Sequence, residues 1–299
     1  MNKEELDKYI ESGKIASEVR GWSKTLIKEN ANILDIANKI ELKIRGLGGE
    51  IAFPTNICIN DITAHYTPKF NDKTIIQEND VVKIDIGVHV DGFIADTACT
   101  IDLSGNYSNM LAANEKALNN VIKLIKPGAS LTEIGEIVQK TITDAGFNVI
   151  ENLTGHEIKQ YNLHAGLSIP NIPIPYEKKI DEGMVLAIEP FATDGYGRVI
   201  ESKHVEIFSL IEKKPVRMRE ARALIDEAEK RKGMPFAERW FLQNERPMNP
   251  MKLQLILQDL VKRKILKQYP VLHEKENGIV SQFEHTVIVT EKGCYVTTK

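Results

Sequence analysis

The sequence predicts an α+β protein built of antiparallel sheets covered by helices. Three observations carry that prediction. Helical spacing is confined to separate blocks, short β-branched runs punctuated by turn residues lie between them, and the blocks follow the order α, β, αα, β, α, β rather than a regular strand–helix alternation.

Residues 1–46 read as helical. Leu6, Ile10, Val19, Trp22 and Leu26 recur at helical spacing, as do Ile33, Ile36, Ala37, Ile40 and Ile44, and the glycines at 46–49 end the pair. From Ile51 to Leu103 the texture is that of strands and loops, broken at Pro54, Asn60-Asp61, Pro68 and Asp91-Gly92. Helices are expected again at 107–126 and 130–146, the second opening with Ser130 three residues before Glu133, a capping-box spacing, and stopping at Gly146. Strands are expected at 183–189 and 199–210, charged helices after 219 and 249, and a strand pair around 279–298.

Composition narrows the class. A chain of 299 residues with 42% hydrophobic and 27% charged residues is that of a soluble globular protein able to bury a core. The amino terminus is charged from Lys3 onward and no apolar run approaches the roughly 20 residues a bilayer requires, so neither a signal peptide nor a membrane span is expected. Cys58, Cys99 and Cys294 have no zinc-knuckle or disulfide spacing, which fits a reducing, cytoplasmic compartment. The net charge of −3 is unevenly spread: residues 205–270 hold 15 Lys and Arg against 9 Asp and Glu, leaving 24 against 33 elsewhere.

The most informative segment is VVKIDIGVHVDGFIADTACTI, residues 81–101. Asp91-Gly92 is a strong signal for a two-residue hairpin turn. With those residues as the turn, Val90 faces Phe93, Asp96 lies opposite Gly87, and Asp85 is two residues along on the same face. The two carboxylates then sit as diagonal neighbours, about 7–8 Å apart at the backbone, with Gly87 leaving the space between them open. Ile84, Ile86, Val88, Val90 and Phe93 form the opposite, buried face. Like charges beside a hydrophobic sheet repel unless one is protonated or a cation lies between them. The alternative is a pair of solvated acids on an exposed strand face, and a longer turn would put them on opposite faces.

Three further clusters carry candidate ligands. TGHEIKQYNLHAG, residues 154–166, holds His156 and His164, either of which could ligate a metal or donate to a substrate carbonyl; a lone histidine is also a common surface or core residue. In MVLAIEPFA an apolar strand ends at Glu189-Pro190, since proline cannot continue a central strand. Glu284 falls in the middle of the strand pattern IVSQFEHTVIV, where it needs a partner or is an edge acid facing water. Four carboxylates and one imidazole suit a pair of divalent ions and hydrolysis better than a structural zinc.

With KIDIG, ADTA, TGHEI…LHAG, AIEPF and QFEHT in this order, the chain resembles the methionine aminopeptidases of the pita-bread fold, type II and archaeal-like, over almost its full length. The resemblance implies a catalytic domain of residues 1–204 and 271–299 interrupted by a helical insertion, 205–270. It implies two divalent ions (Co, Mn, Fe or Zn), with Asp85 chelating one, Asp96 and Glu284 bridging both, and His156 and Glu189 completing the other. Glu189 would also be general base and acid, His164 would donate to the scissile carbonyl, and His65 would contact the scissile amide nitrogen. The first side chain would lie against Phe53, Pro54, Leu163, Phe191, His204 and Tyr269, whose apolar character suits a thioether. The implied substrates are nascent-chain N-termini with a small second residue, acted on by a monomer. Contact of the basic insertion with ribosomal RNA stands beside the alternative of a solvated mixed-charge face. A proline-specific aminopeptidase or prolidase of the same fold, and a non-catalytic RNA- or protein-binding relative, are the competing readings.

Overall fold

A computed structural model describes residues 1–243 and 248–299; residues 244–247, within the expected insertion, lie outside the described residues. The chain opens with helices α1 (Lys3–Ser23) and α2 (Ile33–Gly46), then strands β1 (Glu50–Ile59), β2 (Ile62–Ala64), β3 (Val81–Val90) and β4 (Phe93–Asp102). Helices α3 (Ser108–Leu124) and α4 (Leu131–Thr143) follow, then β5 (Asn148–Val149), β6 (Thr154–Ile158), β7 (Ser168–Pro170), β8 (Val185–Ile188), β9 (Phe191–Thr193) and β10 (Val199–Leu210). The remainder comprises α5 (Arg219–Lys230), β11 (Phe236–Ala237), α6 (Glu238–Leu242), α7 (Pro250–Lys262), β12 (Leu266–Glu274), β13 (Val280–Gln282), β14 (His285–Thr290) and β15 (Gly293–Val296). The antiparallel α+β architecture expected from the sequence is the one observed.

Local chemistry explains the boundaries. The Asn2 side chain accepts from the Glu5 amide at 2.9 Å while Glu5 accepts from the Asn2 amide at 2.8 Å, a reciprocal cap on α1. Ser130 stands at the N-cap of α4 but its side chain makes no capping bond, so the Ser130/Glu133 spacing marks the helix start without forming the box. Asp91 and Gly92 have φ of 50° and 86°, the positive pair that a tight hairpin turn requires.

Two helix pairs cover sheets. Ile33, Ile36, Ile40 and Ile44 of α2, with Ile15, Ala16 and Val19 of α1, pack on Ile84, Ile86 and Val88 of the β1–β3–β4 sheet. The apolar faces of α3 and α4 pack on Leu186, Ile188 and Val287 in the sheet ordered β15–β14–β8–β6–β7. The two halves are stitched along β4: the Thr97 hydroxyl donates to the Glu284 carbonyl at 2.8 Å, Thr100 to Gln282 at 2.7 Å, and the Thr286 hydroxyl both donates to the Asp96 carbonyl and accepts from its amide, each at 2.8 Å.

The segment expected as an insertion grows out of a strand pair. β10 and β12 stay paired from Val205↔Pro270 to Leu210↔Leu266, with one register shift between Val205 and Ile207, so the expected limits at 205 and 270 fall inside a sheet and the helical part begins beyond it. Its helices share a core of Leu224, Ile225, Leu253, Ile256, Leu257 and Leu260. Basic side chains interleave with acidic ones, as in Lys213 with Asp226 and Glu229, Lys252 with Glu220, and Arg263 with Asp259.

The insertion docks on α2 through Arg239, which is fully buried, ion-paired with Glu41, and donates to the Thr67 hydroxyl at 2.5 Å. Trp240 Nε1 donates to the other Glu41 oxygen at 2.9 Å. Removing one partner of a buried pair leaves an uncompensated charge, so Glu41→Leu is expected to lower unfolding free energy by about 3–5 kcal/mol, read by urea denaturation.

Candidate active site

Each expected ligand sits where strand geometry can aim it at one point. The hairpin register is the one computed from the turn: Val90↔Phe93, Gly87↔Asp96 and Asp85↔Ala98. His156 lies on β6 opposite Ala187, Glu189 directly follows β8, and Glu284 directly precedes β14. Residues 154–158, which carry no strong helix or strand signal in the sequence, form a strand paired on both sides, by β8 and β7. Glu284 is not mid-strand: it stands at the break between β13 and β14, where its amide donates to the Ala98 carbonyl at 3.1 Å.

These five side chains line one cavity of about 240 Å³. Asp96, His156 and Glu284 offer ligand atoms within 4.8 Å of one another. His156 Nε2 is 3.5 Å from Asp96 Oδ2 and 3.6 Å from Glu189 Oε1, too long for strong hydrogen bonds. Asp85 Oδ1, Asp96 Oδ1 and both Glu284 carboxylate oxygens are buried and have no hydrogen-bond partner among the described residues. Buried polar atoms are ordinarily satisfied. Burial, and then the neighbouring Asp96 carboxylate, push the carboxyls of Asp85, Glu189 and Glu284 well above their usual range. A buried set of oxygens that cannot all ionise, with one imidazole among them, fits divalent cations.

Two neutral side chains support the acids. Gln282 is buried and its amide donates to Glu189 Oε2 at 3.4 Å. Asn56 is paired in register with Asp85, and its side-chain amide beside that carboxyl favours the charged form. Sequence reasoning missed both, although Gln282 is an amide in an apolar strand two residues before Glu284.

The remaining histidines differ in role. His164 lines the cavity with its ring centroid 4.5 Å from that of His156, and burial first, then His156, Lys267 and His65, push its pKa down to about 3, so the ring is neutral. His65 has φ of 63°, a left-handed conformation uncommon outside glycine, and Nδ1 lies 3.2 Å from the Pro270 carbonyl. A carbonyl only accepts, so Nδ1 carries the proton and Nε2 of the neutral ring is an acceptor. His204 does not line the cavity. Its ring pairs with Glu206 at 3.0 Å, away from the cavity, and the nearby carboxylate raises its pKa.

The apolar wall includes Phe53, Leu163, Phe191, Ile207, Pro235 and Tyr269. Pro54, also expected there, is buried in β1 but is not part of the lining. Ile207 rather than His204 reaches the cavity because β10 shifts register between Val205 and Ile207, an irregularity that a sequence pattern does not show. Gly87 does not leave an open gap between the aspartates. A Cβ there would lie 2.3 Å from the Phe53 ring, which packs over it. Gly87→Ala is therefore expected to drive Phe53 into the cavity and weaken binding of any ligand held there about tenfold, seen as a raised Kd.

The metallopeptidase family M24 model matches residues 7–291. The chain is 47% identical to a methionine aminopeptidase of Methanocaldococcus jannaschii over 300 residues, covering 100% of both chains. Among solved structures, it resembles a thermophilic Arx1 (TM-score 0.86, 19% identity, 99% of this chain and 91% of that one) and the Thermotoga maritima methionine aminopeptidase (TM-score 0.73, 20% identity, 100% and 98%), likenesses that show the shared fold. With a buried carboxylate–imidazole cluster on that fold and a family match across nearly the whole sequence, the chain belongs to metallopeptidase family M24.

Proposed function

We propose that the protein is a dinuclear metallo-aminopeptidase that removes an N-terminal methionine when the second residue is small. The observation that carries this reading is the abutment of two unlike surfaces: a cluster of unpaired buried carboxylate oxygens against an apolar wall in a cavity sized for one side chain. Asp85 would hold one ion, Asp96 and Glu284 both, and His156 and Glu189 the second. Such ions, when bound, acidify water toward neutral pH and polarise a carbonyl.

The chain's own residues supply the rest. Glu189, whose proton affinity burial raises, takes a proton from water and delivers it to the leaving amine. Neutral His164 donates to the carbonyl oxygen as negative charge develops there. His65 Nε2 accepts from the scissile amide N–H, oriented by the Nδ1 bond to Pro270. The thioether packs between Phe53, Phe191 and Tyr269, and sulfur favours aromatic edges. A bulky second side chain would crowd the carboxylates. Relatives carrying the methionine aminopeptidase name over their full length support this substrate, and emerging chains in the cytoplasm are its natural source.

Hydrolysis of Met-Ala-Ser against Xaa-Pro peptides tests the proposal. Preference for Met-Ala-Ser supports it, and cleavage of Xaa-Pro alone assigns the site to proline peptides instead. The same purified protein tests ribosome contact: salt-sensitive co-sedimentation that is lost on charge reversal of Lys262, Arg263 and Lys264 supports an RNA-facing insertion.

A further inference from the structure

The first-residue pocket has a wall that the catalytic sheets alone do not hold. β1 loses register with β3 on both sides of Phe53, between Ile51 and Phe53 and again between Phe53 and Asn56. A bulge of this kind leaves backbone groups without strand partners. Here the carbonyls of Ile51 and Ala52, two almost fully buried residues, are met by Arg231 from the insertion, whose Nη2 donates to them at 2.8 Å and 3.1 Å. The same guanidinium donates through Nε to the Pro235 carbonyl at 2.9 Å and lies over the Trp240 ring, 4.9 Å from its centroid. Phe53 and Pro235 both line the cavity, whereas Arg231 does not.

The geometry points to Arg231 as a positioning residue that fixes the width of the first-residue pocket by locking Phe53 and Pro235 at a set separation. This rests on the aminopeptidase reading of the cavity. One planar fork reaches three carbonyls on two segments, which a lysine ammonium cannot reproduce with the same geometry. Gly87 closes the other side of Phe53, since its α-carbon face is filled by the ring. Asp96 is paired opposite Gly87, so a displaced ring would reach the carboxylates as well as the pocket. The insertion thereby contributes selectivity to a reaction whose proton-transferring groups all lie outside it.

Arg231→Ala and the milder Arg231→Lys test this on Met-Ala-Ser, norleucyl-Ala-Ser and Phe-Ala-Ser, with kcat and KM read separately. KM for Met-Ala-Ser is expected to rise about tenfold, by more than kcat falls, and the preference for Met over Phe to shrink about tenfold as the wall yields. Amide exchange at residues 50–55 should quicken by about tenfold in the same variants. A purely structural role would lower thermal stability and scale kcat alike for every peptide, leaving KM and the Met-to-Phe ratio where they were; that result overturns the assignment. Should Arg231→Ala fail to fold, Arg231→Lys carries the test. If wild-type protein cleaves no Met peptide, the functional reading fails, and the clamp is then judged on exchange alone, where unchanged protection at 50–55 rejects it.

Discussion

Glu189→Gln is expected to reduce kcat on Met-Ala-Ser by about a thousandfold, the middle of the range for loss of a positioned acid–base group. The amide keeps the shape and the Gln282 contact but cannot accept and return a proton. Stability should move the other way. Burial and the Asp96 and Asp85 charges raise the Glu189 carboxyl, so its ionised form opposes folding when no cation is present. Removing that charge should make the chelator-treated variant melt above chelator-treated wild type at neutral pH. Retention of more than a tenth of wild-type kcat would remove Glu189 from the reaction, and a lower melting temperature in chelator would show that its charge is compensated by something else.

Metal removal should have the second large effect, and its sign follows from the same carboxyls. Asp85, Glu189 and Glu284 have folded pKa values raised above their ordinary 3.8 and 4.5. A raised acid leaves stability intact below its unfolded pKa and costs stability as pH climbs through the folded value. Metal-free protein is therefore expected to melt progressively lower as pH rises from about 5 to about 8. Saturating Mn or Co should reverse the trend, adding about 2.7 kcal/mol per site at a free concentration one hundred times Kd. Differential scanning fluorimetry across that pH range, with and without chelator, reads both effects. Identical melting curves with and without metal at pH 7.5 would contradict a cation site here.

Much of the site is legible in the sequence because a tight turn propagates its register. Once Asp91-Gly92 turns the chain, Asp85 and Asp96 must share a face, and ten consecutive pairs of β3 and β4 obey that constraint. Glu189 is legible for a different local reason, since Pro190 ends its strand. His156 is not: isolated from the family resemblance, TGHEI carries no strong strand signal, and its pairing with β8 and β7 comes from residues 12 or more positions away.

What the sequence by itself determined is the set of chemical groups and the local geometry that short-range rules control: the hairpin, the helix blocks and the α+β class. Only the tertiary structure decided which of them meet. It turned Ile207 rather than His204 toward the cavity, set Glu284 at a strand break instead of mid-strand, laid Phe53 over Gly87, and brought Gln282, Asn56 and Pro235 to the same space. The physical reason is that bulges and side-chain bonds between elements, such as Thr286 to Asp96 and Arg231 to Ile51, join residues far apart in the chain, and no periodicity within either segment records the partner.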